Sequence, residues 1–179
     1  MTQRKVRVTV LCEDRQQEVF ARYFLEKRGF HPRKIRYLLL PKGTQSGEQY
    51  VRECYRTEVK AYRSNKNHLS IALIVLIDAD NKSVAERLNQ LDSALEDDSQ
   101  AKRQEHEKIA VFVPKRNIET WIHYLQEETV DEETAYQKLE KEGDCKPGVE
   151  KLVNQCDRGL AEDAPPSLHT ACSEWQRII

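Results

Sequence analysis

Short apolar runs alternate along this chain with longer stretches in which apolar residues recur every three or four positions. Val6, Val8 and Val10 alternate with Arg7 and Thr9 and lead into Leu11 and Cys12, the period-two pattern of a strand. Glu13 and Asp14 end it. Over residues 15–28, Val19, Phe20, Tyr23, Phe24 and Leu25 form a helical stripe closed by Gly29. Ile35, Tyr37 and Leu38 to Leu40 predict a second strand over 34–40, and Pro41 to Gly47 a loop. Tyr50, Val51, Cys54, Tyr55 and Val59 then predict an amphipathic helix over 48–63, followed by a strand over 69–77. Ser83 is placed to cap a helix reaching about residue 95, with Val84, Leu88, Leu91 and Leu95 on one face. The charged stretch 96–108 predicts a solvated loop or helix extension. Ile109 to Val113, ended by Pro114, predicts one more strand.

Beyond that strand the pattern is helical. Helices are expected over about Ile118 to Leu125, Asp131 to Glu142 and Val149 to Cys156. A last helix follows Pro165 and Pro166, capped by Ser167, with Leu168, Cys172 and Trp175 facing inward. Strands alternating with helices imply an α/β fold with a mainly parallel sheet, helices on its flanks and right-handed crossovers. Residues 1–125 carry that alternation. Residues 126–179 read as a helical C-terminal extension packed on it.

The length of 179 residues suits one domain with a small appendage. Charged residues make up 33% and the formal net charge is −1, so no global positive field advertises a polyanionic partner. Contact with nucleic acid must then be local or assisted by a metal. Cys12, Cys54, Cys145, Cys156 and Cys172 are odd in number and show no CxxC spacing. With no signal peptide and no membrane-length apolar stretch, they predict reduced thiols in a cytoplasmic protein. His169 and Cys172 stand one helical turn apart, a spacing open to zinc but expected to be structural.

The densest chemistry lies in Ile71-Ala-Leu-Ile-Val-Leu-Ile-Asp-Ala-Asp80. Seven apolar residues run into two carboxylates. The run reads as a buried central strand, and period-two alternation points Asp78 and Asp80 the same way. Two like charges side by side are most easily tolerated around a divalent cation. Glu13 also ends a strand. If the strands are parallel neighbours, Glu13, Asp78 and Asp80 meet at the carboxyl edge of the sheet, where open α/β sheets bind ligands. Three acids there suit Mg2+ or Mn2+, which can neutralise a phosphate and lower the pKa of an attacking water. Taken singly, Glu13 reads as a helix-entry residue favoured by the dipole, and one Asp as a helix cap. Glu18 could face the same edge, or stand as a surface glutamate.

Pro114-Lys115-Arg116-Asn117-Ile118-Glu119-Thr120-Trp121 also follows a strand and opens a helix. Lys115 could stabilise charge developing on a phosphate, Glu119 could complete a metal shell, and Arg116 and Asn117 could hold phosphate oxygens. Otherwise the segment is a helix start with Asn117 as cap and Trp121 in the core. The loop Lys42-Gly43-Thr44-Gln45-Ser46-Gly47 matches no phosphate-loop pattern.

Glu13 after one strand, Asp78-Ala79-Asp80 after another and Asn117-Ile118-Glu119-Thr120-Trp121 after a third resemble the Toprim fold, most closely the small Toprim proteins of the RloB-like and OLD nuclease group. Cys12-Glu13-Asp14-Arg15-Gln16-Gln17-Glu18 is similar to that group's Glu-Gly motif with a second acid, with Asp14 where glycine is usual. The resemblance spans about residues 5–125. It implies that Glu13, Asp78 and Asp80 bind metal, that Glu119 assists, and that Lys115 is the basic group of the site, with Glu18 as a further candidate ligand from its place on the helix. It also implies a metal-dependent nuclease acting on DNA or RNA in anti-phage defence or nucleic-acid processing, often beside a partner ATPase. The competing expectation is a non-catalytic Toprim-like subunit that works through that ATPase. A response-regulator-like or phosphatase-like domain lacks an aspartate nucleophile after the first strand.

Overall fold

The computed structural model describes residues 4–43 and 45–179; Met1 to Gln3, and Thr44 of the 42–47 loop, lie outside it. Four strands form one all-parallel sheet: β1 (Arg7–Cys12), β2 (Ile35–Leu39), β3 (Ile71–Leu76) and β4 (Ile109–Phe112), in the order β2-β1-β3-β4. Val8 pairs with Ile35 on one side and Ala72 on the other, and Leu73 pairs with Ile109. Helices cover both faces. α1 (Arg15–Lys27) joins β1 to β2, α2 (Gly47–Asn65) joins β2 to β3, and α3 (Val84–Asp97) joins β3 to β4. α4 (Ile118–Leu125), α5 (Lys146–Arg158) and α6 (Pro166–Trp175) complete the chain.

Burial on two faces explains why the strands read as continuous apolar runs. Val8, Val10, Ile74, Leu76 and Phe112 share a cluster with Phe20, Phe24, Trp121, Leu152, Leu168 and Trp175, from α1, α4, α5 and α6. Leu11, Leu73, Val75, Ile77 and Val111 share the other with Val51, Tyr55, Leu91 and Leu95 of α2 and α3. The C-terminal helices thus pack on the sheet through its own core cluster.

The free edge of β4 is blunted by an ion pair. Glu174 accepts the Val111 N–H at 2.8 Å, and Arg103, paired with Glu174, donates to the Ile109 carbonyl at 3.0 Å. Occupying the ladder groups of an edge strand this way denies them to another chain.

Three expectations need correction. Residues 131–141 are irregular, with only a 3-10 turn at Glu142–Cys145. Asp131 is the reason: its carboxylate accepts the N–H groups of Glu133 and Thr134, an Asx turn that competes with helix. Ser167 lies inside α6, whose cap position is Pro165. Cys156 and Cys172 are joined by a disulfide between α5 and α6, which removes the His169–Cys172 zinc pair; Cys12, Cys54 and Cys145 are free. Among the described residues no helix is long and apolar enough to cross a membrane.

The chain runs from β1 outward to β2 and returns to place β3 on the opposite side of β1. The topological switch therefore falls between β1 and β3, and it is outside the carboxyl ends of the strands at such a point that open α/β sheets bind ligands. Glu13 follows β1 there and Asp78 follows β3.

Candidate functional site

Asp14 caps α1 by accepting the Gln17 N–H at 3.0 Å. That cap turns Gln17, fully buried at the third helical position, back toward the sheet. Its amide bridges the two strand ends: the oxygen accepts the Glu13 N–H at 2.9 Å, and the nitrogen donates to Asp78 Oδ1 at 3.0 Å. Glu13 in turn accepts the Asp78 N–H at 2.6 Å through Oε1. Its other oxygen faces Gly47, the first residue of α2. A Cβ at Gly47 would fall 2.8 Å from Glu13 Cβ and 3.0 Å from Oε2, so only glycine lets that helix end approach.

Asp78 is 8% exposed. Desolvation holds its carboxyl well above the ordinary range, and the charges of Glu13, Asp14, Glu119 and Asp80 push in the same direction. Burial also raises Glu13, from 4.5 to about 7, despite the Asp78 N–H and the Arg87 charge that favour its ionised form. Glu119, 2% exposed in the first turn of α4, is raised by burial, and its Oε1 has no hydrogen-bond partner. The Asn117 side-chain oxygen at the same helix start is likewise buried and unpartnered, so Asn117 occupies the cap position without a capping bond.

Asp78 and Asp80 part ways. The alternation of β3 ends before them, and Asp80 adopts a left-handed backbone (φ 54°), as does Arg116 (φ 70°) at the end of the neighbouring strand; the Asp80 N–H donates to the Arg116 carbonyl. Non-glycine residues held in that region carry strain, which concentrates at functional sites. The Asp80 carboxylate is 55% exposed and accepts from Arg87 at 3.0 Å. Arg87 is itself 2% exposed. It also donates to the carbonyls of Asp78 (2.9 Å) and Ala79 (3.4 Å) and to Glu48 (3.1 Å), clamping the turn after β3.

The other expected residues are more scattered. Glu18 is paired with Arg15. Lys115 Nζ lies 3.7 Å from the exposed Glu133 carboxylate, and its N–H donates to Ser167 Oγ, which also accepts from Trp121 Nε1 at 2.8 Å. Trp121 is fully buried and structural. A second cation, Lys138, stands 4.0 Å from Asp14 Oδ2 and favours ionised Glu119. It comes from the irregular segment, which is why helical periodicity did not mark it. Gln17 was missed by the sequence reading, although Asp14-x-x-Gln17 carries the spacing of a capping box. Arg87 left no signal in the sequence.

Among the described residues no three Asp, Glu, His or Cys side chains form a ready metal cage. A cage is not what Mg2+ needs, since it is commonly held by one or two carboxylates together with water and substrate phosphate. The donor set fits such an ion. The available donors are hard carboxylate oxygens: that of Asp78 is buried with the Gln17 amide on Oδ1, and one Glu119 oxygen has no hydrogen-bond partner.

No family model matches the chain, and no curated protein or solved structure does so either.

Proposed function

We propose that the switch-point carboxylates hold a divalent cation and that the protein hydrolyses phosphodiester bonds of DNA or RNA, the activity of the Toprim nucleases that its motifs resemble. The observation that carries this reading is the buried, mutually repelling pair Glu13 and Asp78, with Glu119 beside it, at the sheet edge where α/β folds take ligands. Such an arrangement is costly unless a cation offsets it. Bound Mg2+ or Mn2+ would supply Lewis acidity toward a phosphate and an activated water.

The chain's own residues set the rest. Gln17 fixes the Asp78 carboxylate, and the Asp78 N–H fixes that of Glu13, so both are oriented before any ligand arrives. Arg87 pins the strained turn carrying Asp80. Lys115, released from Glu133, offsets charge on the leaving group, and Lys138 lies at the same edge. The test is incubation of purified protein with plasmid, single-stranded DNA and RNA, with and without Mn2+. Metal-dependent cleavage supports the reading, and its absence on all three refutes it.

The Arg87–Asp80 ion pair favours a second reading, in which the domain is a non-catalytic subunit acting through an ATPase. Here one expected ligand is already neutralised. Pull-down from the native host separates the two: co-purification of an ATPase from a preparation that cannot cut supports the second.

A further inference from the structure

A cleft of about 520 Å3 opens at the opposite end of the sheet, between the amino-terminal ends of β1, β2 and β3 and the last turns of α2. Four cations line it, Arg7, Arg33, Lys34 and Arg36, against the single acid Glu58. Glu58 pairs with Arg36 at 2.5 Å, and Arg36 also reaches Thr9 Oγ1 at 3.4 Å. The side chains of Arg7, Arg33 and Lys34 have no ion-pair partner among the described residues. In a chain of net charge −1 this is a concentrated local excess of positive charge.

The carbonyl end of α2 approaches the same cleft, but its acceptors are occupied. The Tyr62 and Asn65 carbonyls take the N–H groups of Lys66, His68 and Leu69, and the Asn65 side chain donates to the Ala61 carbonyl. Leu69 contributes something different. It is 43% exposed, one of two large apolar side chains left open to water among the described residues, and it lines the cleft. Unpaired guanidinium and ammonium groups beside an open apolar side chain match one nucleotide unit, phosphate against charge and base against leucine. The volume is that of a small-ligand pocket, which admits a single strand and not a duplex.

We propose that this cleft grips the phosphates of single-stranded nucleic acid. The choice of nucleic acid rests on the hydrolase reading above. β1 runs from the cleft at Arg7 to the acidic edge at Glu13, about 20 Å at the rise of a strand. Because helices cover both faces of the sheet, a nucleic-acid strand bound at both ends passes over the outside of the molecule, held at one end and cut at the other. This supplies the local electrostatic hold that the overall charge denies.

The test is fluorescence anisotropy with a labelled 12-nucleotide oligothymidylate in EDTA, where nothing is cleaved and the acidic edge plays no part. Arg33→Glu and Lys34→Glu, both in an exposed turn, should each weaken binding about tenfold, and each lost phosphate contact should lower the salt slope by about 0.7. Glu58→Gln frees Arg36 and should tighten binding. Lys151→Glu, on α5 away from the cleft, should leave it unchanged. Wild-type protein that fails to bind overturns the proposal. So do charge reversals in the cleft that bind normally, or a Lys151→Glu variant that loses as much as they do. Cleavage that fails while this binding persists would overturn the hydrolase reading alone.

Discussion

Replacing Glu13 by glutamine should make the protein more stable above neutral pH. The Glu13 carboxyl ionises near 4.5 in an unfolded chain and is raised to about 7 in the fold, chiefly by burial. Below pH 4.5 both states carry the proton and the shift has no effect. Between 4.5 and 7 the unfolded state loses its proton first, so stability falls as pH rises through that window, and above 7 the full penalty applies. At about 1.4 kcal/mol per pH unit the penalty is about 3 kcal/mol. That is a sizeable share of the 5–15 kcal/mol by which domains are ordinarily stable. Glutamine keeps the oxygen that accepts the Asp78 N–H and sheds the charge. Urea unfolding in EDTA at pH 4.5 and pH 8 reads the effect directly. The variant should match wild type at the lower pH and exceed it by about 2–3 kcal/mol at the higher. Equal or lower stability of Glu13→Gln at pH 8 would refute the claim that this carboxylate is held against its electrostatic preference.

Gln17→Ala should lower stability by about 1–3 kcal/mol for each partner it leaves unpaired, Asp78 Oδ1 and the Glu13 N–H, as measured by urea denaturation. Arg87→Ala should cost about 1–3 kcal/mol in the same assay, because it leaves the Asp78 carbonyl without a donor, while Glu48 keeps Arg52, the Ala79 carbonyl keeps the Lys82 N–H and Asp80 is exposed to water. Lys115→Ala should slow cleavage about tenfold or more while leaving Mn2+ affinity unchanged, since its contact in the fold is the solvent-exposed Glu133.

The sheet was legible because burial on two faces leaves no polar position inside β3 or β4, so Ile71–Leu76 and Ile109–Phe112 could hardly be anything else. Glu13 and Asp78 were legible for the same reason, as the first carboxylates after such runs. What escaped depends on contacts distant in sequence. The disulfide joins cysteines sixteen residues apart on two helices, a spacing with no signature. Ser167 looked like a cap after two prolines, but its hydroxyl is taken by Trp121 and the Lys115 N–H, on another element. The helix expected over about 131–142 fails for a local reason instead, the Asx turn at Asp131. The divergence of Asp80 from Asp78 follows from a left-handed backbone and a buried arginine seven residues on, and strand periodicity cannot foresee either.

Cation binding at the switch-point carboxylates is most directly tested by titrating Mn2+ into the protein at pH 8 and following the free-ion signal by electron paramagnetic resonance. Wild-type protein should deplete the signal, and Asp78→Asn should weaken binding by about tenfold or more while retaining the fold. An undiminished free Mn2+ signal with wild-type protein, or equal depletion by Asp78→Asn, would contradict the assignment.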